Sequence, residues 1–329
     1  MSERTPPTRA PRRLLVVADP AARSQPALAK AARLARALGA RVEVYACDYR
    51  AELAGPGAGR AAARRRALAA GTAALASLAR RHLRQVRARV RYELGQPRVA
   101  RILAEVRRTR PDLVVVDSHF HPGLRRALFG PADWPLIRDC PAPLLYAKPA
   151  RWHAAPRVAA AVDPLHPADP HARLDRELVA AARALARALK GSLAVVHAWL
   201  PPEAAGGGAA ALGLPLAAAA GAERTLADAA AGAERAVRAL LAPGGRPSAA
   251  VVLLRGAAVE TLPAYAAAGG LDVLVLGAVA RSRLYETLIG ATAERLLERM
   301  PCDLLVVNGG RGRRRGAARR RGGRARIPV

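Results

Sequence analysis

The sequence predicts an α/β chain made of two copies of one fold, each a five-stranded parallel sheet with helices on both faces. Three observations predict it. Residues 112–117, DLVVVD, recur as DVLVLG at 272–277, and the same offset of 160 pairs Val99 with Val259, Gly130 with Gly290, Pro141 with Pro301 and Leu144 with Leu304. Apolar runs such as VVV and VLVL carry no alternating polar residues, which is the pattern of strands buried on both faces. Such strands alternate with helical segments along both copies, and that order implies a parallel sheet wrapped on each side.

The elements follow in turn. LLVVA (14–18) is a first strand, followed by a helix from about Ser24, with Ser24 as its cap, to Leu38, where Gly39 supplies a left-handed stop. A strand at 41–46, a long Ala/Arg helix near 59–84 and a strand at 86–92 come next. Pro97 opens a helix that leads into DLVVVD, then a loop, a helix near 132–139 and a last strand at 144–147. The second copy opens on AAVDP (160–164), which matches VVADP (16–20) at an offset of 144 and so leaves about 16 extra residues in its middle. Its first helix is expected to start at Asp169 and Pro170, with Leu174, Leu178, Leu185 and Leu189 on one face. The uncharged stretch 204–222 is too rich in Gly and Pro for a membrane span and reads as a loop running into a helix. Domains are expected at 11–149 and 155–308, with 309–329 as a disordered Arg-rich tail.

Composition sets the limits on function. The 329 residues hold 54 Lys+Arg against 25 Asp+Glu, a net charge of +29, and only 11 aromatics, while 81 alanines supply much of the apolar content. Fifty-one of the bases are arginines, a bias that a GC-rich genome imposes whatever the function, so charge alone identifies no partner. Nine arginines and no acid lie in the tail, which leaves +20 expected to be spread over the body. Cys47, Cys140 and Cys302 are far apart, so neither a disulfide framework nor a zinc knuckle is expected. The first residues lack a secretory apolar core, and the expected location is cytoplasmic.

In doubly wound sheets ligands sit beyond the carboxyl ends of the strands, where strand order reverses. Asp19 and Asp163 after the first strands, and the segments from Asp117 and Gly277 after the fourth, are therefore the candidate positions. From Gly277 to Leu297 the chain reads G-A-V-A-R-S-R-L-Y-E-T-L-I-G-A-T-A-E-R-L-L. This resembles G-x2-G-x9-G-[ST], the nucleotide-binding signature of the universal stress protein family. With VVADP, AAVDP, the endings C-P-A-P-L-L-Y and M-P-C-D-L-L-V-V, and G-P-A-D-W-P at 130–135, the likeness covers nearly the whole chain outside the tails and is to the tandem type.

The resemblance implies two Rossmann-like (adenine nucleotide alpha hydrolase-like) domains that pair within one chain, ATP as the ligand of the second domain, and a role in stress tolerance through binding. The residues carried over are Asp163 beside the nucleoside, and Gly277, Gly290 and Thr292 along the phosphate segment, with Arg281 to neutralise phosphate. A helix opened at Gly290 would offer free N–H groups and its positive dipole end to phosphate. Ala280 stands where the motif has its middle glycine, costing roughly 1 to 2 kcal/mol if that backbone is left-handed. Ala291 replaces the hydroxyl residue, a loss of about 1 kcal/mol. In the first copy Asp117, Phe120 and Pro131 replace Gly277, Ala280 and Ala291, so no nucleotide is expected there.

Other chemistry is sparse. His119 and His121 form an H-x-H without a visible third ligand, and no metal is expected. No P-loop, nucleophile elbow or zinc-protease motif is present, so a non-enzyme is expected, with a slow ATPase or autokinase as one alternative. The other alternative is nucleic-acid association through the tail, which would be salt-sensitive and, without aromatics, would not stack bases. A homodimer is an option that a tandem chain does not require.

Overall fold

The computed structural model describes residues 11–53, 57–96, 98–118, 120–121, 126–127, 133–166, 172–200, 216–241, 249–277, 295–296 and 298–308. These form two compact units: residues 11–150 with 304–308, and residues 151–303.

The first unit contains β1 (Arg13–Val17), α1 (Pro26–Leu38), β2 (Arg41–Asp48), α2 (Ala58–His82), β3 (Ala88–Leu94), α3 (Arg98–Thr109), β4 (Leu113–Asp117), a small pair β5 (Phe120–His121) and β6 (Arg126–Ala127), α4 (Asp133–Asp139) and β7 (Leu144–Ala147). Its sheet runs β3-β2-β1-β4-β7, all parallel. Beside β7 lies β12 (Asp303–Val307), in which Leu304, Leu305 and Val306 pair antiparallel with Tyr146, Leu145 and Leu144. The strand that closes the second copy in sequence thus pairs with the one that closes the first. All five of its residues are buried, and an apolar strand of that kind needs cover rather than a free edge in water. Asn308 Nδ2 anchors its end by donating to the carbonyls of Ile137 and Cys140 at 2.5 and 3.2 Å.

The second unit contains β8 (Arg157–Ala161), α5 (Arg173–Ala188), β9 (Ser192–Trp199), α6 (Leu216–Leu241), β10 (Ala249–Arg255), α7 (Ala258–Ala268) and β11 (Val273–Gly277), with the parallel order β10-β9-β8-β11. The two units therefore share the order 3-2-1-4, the doubly wound arrangement the alternation of elements predicted.

The aromatic-poor composition shows in the packing. In α2 the buried Ala67, Gly71, Leu75 and Ala79 recur every fourth residue and form a stripe of mostly small side chains. The missing Cβ of Gly71 admits the ring of Tyr92 on β3, which an added Cβ would meet at 2.2 Å. The three cysteines are buried and form no disulfide, in keeping with core packing, and burial pushes the Cys140 thiol up to about 11.

The first aspartates of the repeated segments have a shared structural task. Asp112 Oδ2 accepts the backbone N–H groups of Arg12 and Arg13 at 2.9 and 3.0 Å, and Asp272 accepts those of His153 and Arg157 at 3.0 and 2.8 Å. Each thereby satisfies free donors where the first strand of its unit begins. The segment joining the two copies is tied into the second unit by Trp152, whose indole Nε1 donates to the buried Asp303 carboxylate at 2.8 Å.

Helix starts depart from expectation. Ser24 does not cap α1; Gln25 stands at the cap without a side-chain bond, while Ala27 N donates 2.6 Å to Asp117 Oδ1 from the end of β4. A carboxylate ninety residues away thus does what a local Ser was expected to do. At its other end Gly39 takes the left-handed conformation, φ 62°, as predicted. The next long helix of the repeat, α5, begins at Arg173; Asp169 and Pro170 lie outside the described residues.

Candidate functional site

In each unit strand order reverses between the first and fourth strands, so the crevice at their carboxyl ends is the natural ligand position. Four of the candidate positions meet there, two per unit.

In the second unit Val275 pairs with Ala160, which sets Gly277 opposite Val162 and beside Asp163. Asp163 lies two residues past the end of β8, and its N–H donates 3.0 Å to Asp175 Oδ1 of α5, a side chain with no solvent exposure. The α5 first turn therefore holds the Asp163 loop against the strand ends. Leu174, one residue earlier, covers Gly277: a Cβ at 277 would lie 2.7 Å from Leu174 Cδ2. A side chain at 277 would have to displace Leu174 of α5. Arg281, Gly290 and Thr292 lie outside the described residues, as do Ala280 and Ala291.

In the first unit the same point carries two acids. Val17 pairs with Val116, so Asp117 at the end of β4 falls opposite Ala18, next to Asp19. Asp19 Oδ1 accepts from Ala21 N at 2.9 Å, and Gln25 Nε2 donates to the Asp19 carbonyl at 2.6 Å. Burial pushes the Asp117 carboxyl up to about 6; the Ala27 N–H opposes that shift and the Asp19 charge adds to it, while Lys30 and Arg98 pull it back. Lys30 is itself buried and donates 2.9 Å to the Lys148 carbonyl. Ser118 Oγ and Gln25 Oε1 are buried here without a hydrogen-bond partner among the described residues. An oxyanion placed at this point meets two carboxylates, as the Asp117 substitution implied.

Sequence reasoning missed Lys30 and the capping role of Asp117. A signal existed for the first: Lys30 is one of only three lysines and interrupts the apolar stripe of α1 between Ala27 and Leu34. His119 lies outside the described residues, and only the backbone of His121 is described. Among the described residues no three His, Cys, Asp or Glu side chains are grouped to hold a metal. The Arg-rich tail, 309–329, is also outside them. A further cavity of about 500 Å³ opens at the carboxyl ends of β2 and β3, lined by Cys47, Asp48, Tyr49, Gly95, Gln96 and Arg98.

Comparison with known proteins agrees with this architecture. The model of the Universal stress protein family matches residues 11–148 and again residues 158–308. Universal stress protein E of Escherichia coli (strain K12) is 26% identical over 301 residues, covering 89% of this chain and 93% of that protein. A universal stress protein E homolog of Haemophilus influenzae is 28% identical over 204 residues, 62% of this chain and 64% of its own. Among solved structures, a putative universal stress protein from Pseudomonas aeruginosa UCBPP-PA14 superposes with a TM-score of 0.67 at 24% identity, covering 92% of this chain and 94% of its own. A universal stress protein from Archaeoglobus fulgidus gives 0.59 at 15% identity, covering 91% and 99%.

Proposed function

The chain belongs to the universal stress protein family and carries two of its domains in tandem, and from that premise we propose that it serves stress tolerance by binding an adenine nucleotide in the second unit, without turning it over. The observation that carries this reading is the strand order of that unit, which sets Asp163 and Gly277 at the neighbouring strand ends that border one crevice. Asp163 takes the nucleoside side of the crevice, held in place by the Asp175 bond to its N–H. Leu174 offers an apolar surface beside it, and Arg281, Gly290 and Thr292 of the family-like segment receive the phosphates. Two replacements in the signature, Ala280 and Ala291, weaken binding by a combined cost of about 2 to 3 kcal/mol, roughly a hundredfold in affinity. The first unit takes no nucleotide, since Asp19 and Asp117 oppose phosphate there.

The reading without catalysis rests on the absence of any nucleophile and base pair or P-loop lysine in the sequence. Calorimetry of the full chain with ATP tests the proposal. Heat with a stoichiometry of about one per chain, lost in Gly290→Trp and kept in Asp117→Ala, supports it; no heat at millimolar ATP overturns it. No described helix is long and apolar enough to cross a membrane.

A further inference from the structure

The positive charge of this protein is not spread evenly over its body. Residues 11–150 hold 27 basic against 10 acidic side chains, a net +17, whereas residues 151–308 hold 16 against 14, a net +2. A genome-wide bias toward arginine acts on both copies alike and cannot produce that contrast. The fold then gathers much of the first unit's excess on one edge. Its helices run antiparallel to its strands, so α1, α2 and α3 all end where the strands begin, and each ends on arginine: Arg36, Arg80 with Arg81, and Arg107 with Arg108.

The strand starts add to the same edge. Arg13 and Arg41 are register partners on β1 and β2, and Val42 N donates to the Arg87 carbonyl at 2.9 Å as β3 begins. Neighbouring strands are about 4.8 Å apart, so Arg13, Arg41 and Arg87 stand in a row about 10 Å long. Arg84 lies in the turn between α2 and β3, and Arg110 in the turn before β4. Arg36, Arg41, Arg81, Arg84, Arg87 and Arg110 are all exposed, and none has a carboxylate within ion-pair distance among the described residues. The acids at this edge are already engaged: Asp112 by the N–H groups of Arg12 and Arg13 and by the Arg13 guanidinium at 3.6 Å, and Glu43 and Glu105 by the Arg108 guanidinium. Burial, reinforced by the Arg81 charge, lowers the pKa of His82 here.

The second unit supplies an internal control. At its equivalent edge the register partner of Arg157 is Ser192 instead of an arginine, and the Arg157 guanidinium donates to the Gly269 carbonyl at 2.5 Å. The row is a property of one copy.

We propose that this arginine edge of the first unit is a binding surface for the phosphate backbone of nucleic acid. Exposed arginines on adjacent strands, about 5 Å apart at the backbone, suit a polyphosphate, and Arg recognises phosphate through its planar fork of donors. The large apolar side chains exposed among the described residues are Tyr49, Leu165 and Leu200; Tyr49 is at the opposite end of β2 and the other two are in the second unit. Among its described residues the edge therefore exposes no Phe, Tyr or Trp to stack on bases or insert into lipid, which favours sequence-independent backbone contact over membrane docking. This surface is built on a different unit from the crevice proposed for nucleotide and includes no residue of the Arg-rich tail.

The test is fluorescence anisotropy of the full chain with a labelled 20-base-pair duplex of mixed sequence, titrated across NaCl concentrations. Each phosphate contact contributes about −0.9 to the slope of log K against log salt. The triple variant R41S/R84S/R87S should flatten the slope by about 2.7 and weaken binding at least tenfold, equally for two unrelated sequences. The control R176S/R187S/R255S, which removes three arginines from the second unit, should leave the slope unchanged. Coincident thermal melts of the three proteins exclude unfolding as the cause. A parental slope in the first triple variant overturns the proposal and assigns binding to the tail. Loss of binding to phosphatidylserine vesicles with unchanged duplex binding overturns it in favour of a membrane surface.

Discussion

The two crevices at the reversal points of this chain are built on the same strand order and hold opposite chemistry. In the second unit a glycine and an acid face each other, and the space that a side chain at 277 would need is occupied by Leu174. In the first, Asp117 fills the corresponding place and is drawn into the fold as the cap of α1, with buried Lys30 nearby. The same position thus has a different task in each copy: Asp117 satisfies a helix donor that the local sequence leaves free, while Gly277 lies under Leu174 of the neighbouring helix.

The sharpest way to break this comparison is pH. The Asp117 carboxyl is raised from 3.8 to about 6 in the folded chain, so between those values the folded state holds more protons than the unfolded one and stability falls as pH rises. The loss reaches about 3 kcal/mol above pH 7. Asp117→Asn should remove that slope in urea unfolding measured from pH 4 to 7.5 and gain stability at the upper end; an unchanged profile would contradict the burial described for this group. Next comes Gly277→Val, which should cost about 2 kcal/mol by overpacking against Leu174. Leu174→Ala in the same chain should recover most of that cost, and additive losses would show that the two do not touch.

The nucleotide reading gives a smaller effect. Asp163→Ala should reduce ATP affinity about tenfold, or roughly 1.4 kcal/mol, while Asp19→Ala leaves it unchanged; equal effects of both would mean that the copies do not differ as described. The smallest test concerns the ends of the first helices. α1 stops on Gly39 at φ 62°, whereas the copy places Lys190 at φ 54° just after α5. Lys190→Gly should therefore stabilise the second unit by about 0.5 to 1 kcal/mol in thermal melts, and Gly39→Ala should destabilise the first by a similar amount.

Much of this was legible in the sequence because the signals are local or repeated. DLVVVD and DVLVLG mark β4 and β11, and they sit buried in both sheets as unbroken apolar runs must. Gly39 ended its helix because glycine enters the left-handed backbone without steric cost, which makes it a local signal. The acid pair of the first crevice was visible too, as Asp19 and Asp117 follow strands one and four. The replacement of Ser24 by Asp117 at the α1 cap was hidden, because the donor and acceptor are ninety residues apart. The same holds for Leu174 over Gly277, a contact made by a neighbouring helix and not by the turn itself.

Periodicity, the repeat and the family-like segment were sufficient by themselves to determine two α/β copies, the order of their elements and the positions of the crevices where strand order reverses. Each of these depends on residues close in sequence or on one segment repeating another. Tertiary structure alone decided where β12 pairs, which carboxylate caps α1, and that the arginines of the first copy end at one edge. These outcomes depend on strand register and helix direction, which bring Arg41 beside Arg87 and Asp117 beside Ala27 across long stretches of chain. A count of charges carries no such geometry, and for that reason the net +29 became informative only when the fold had placed it.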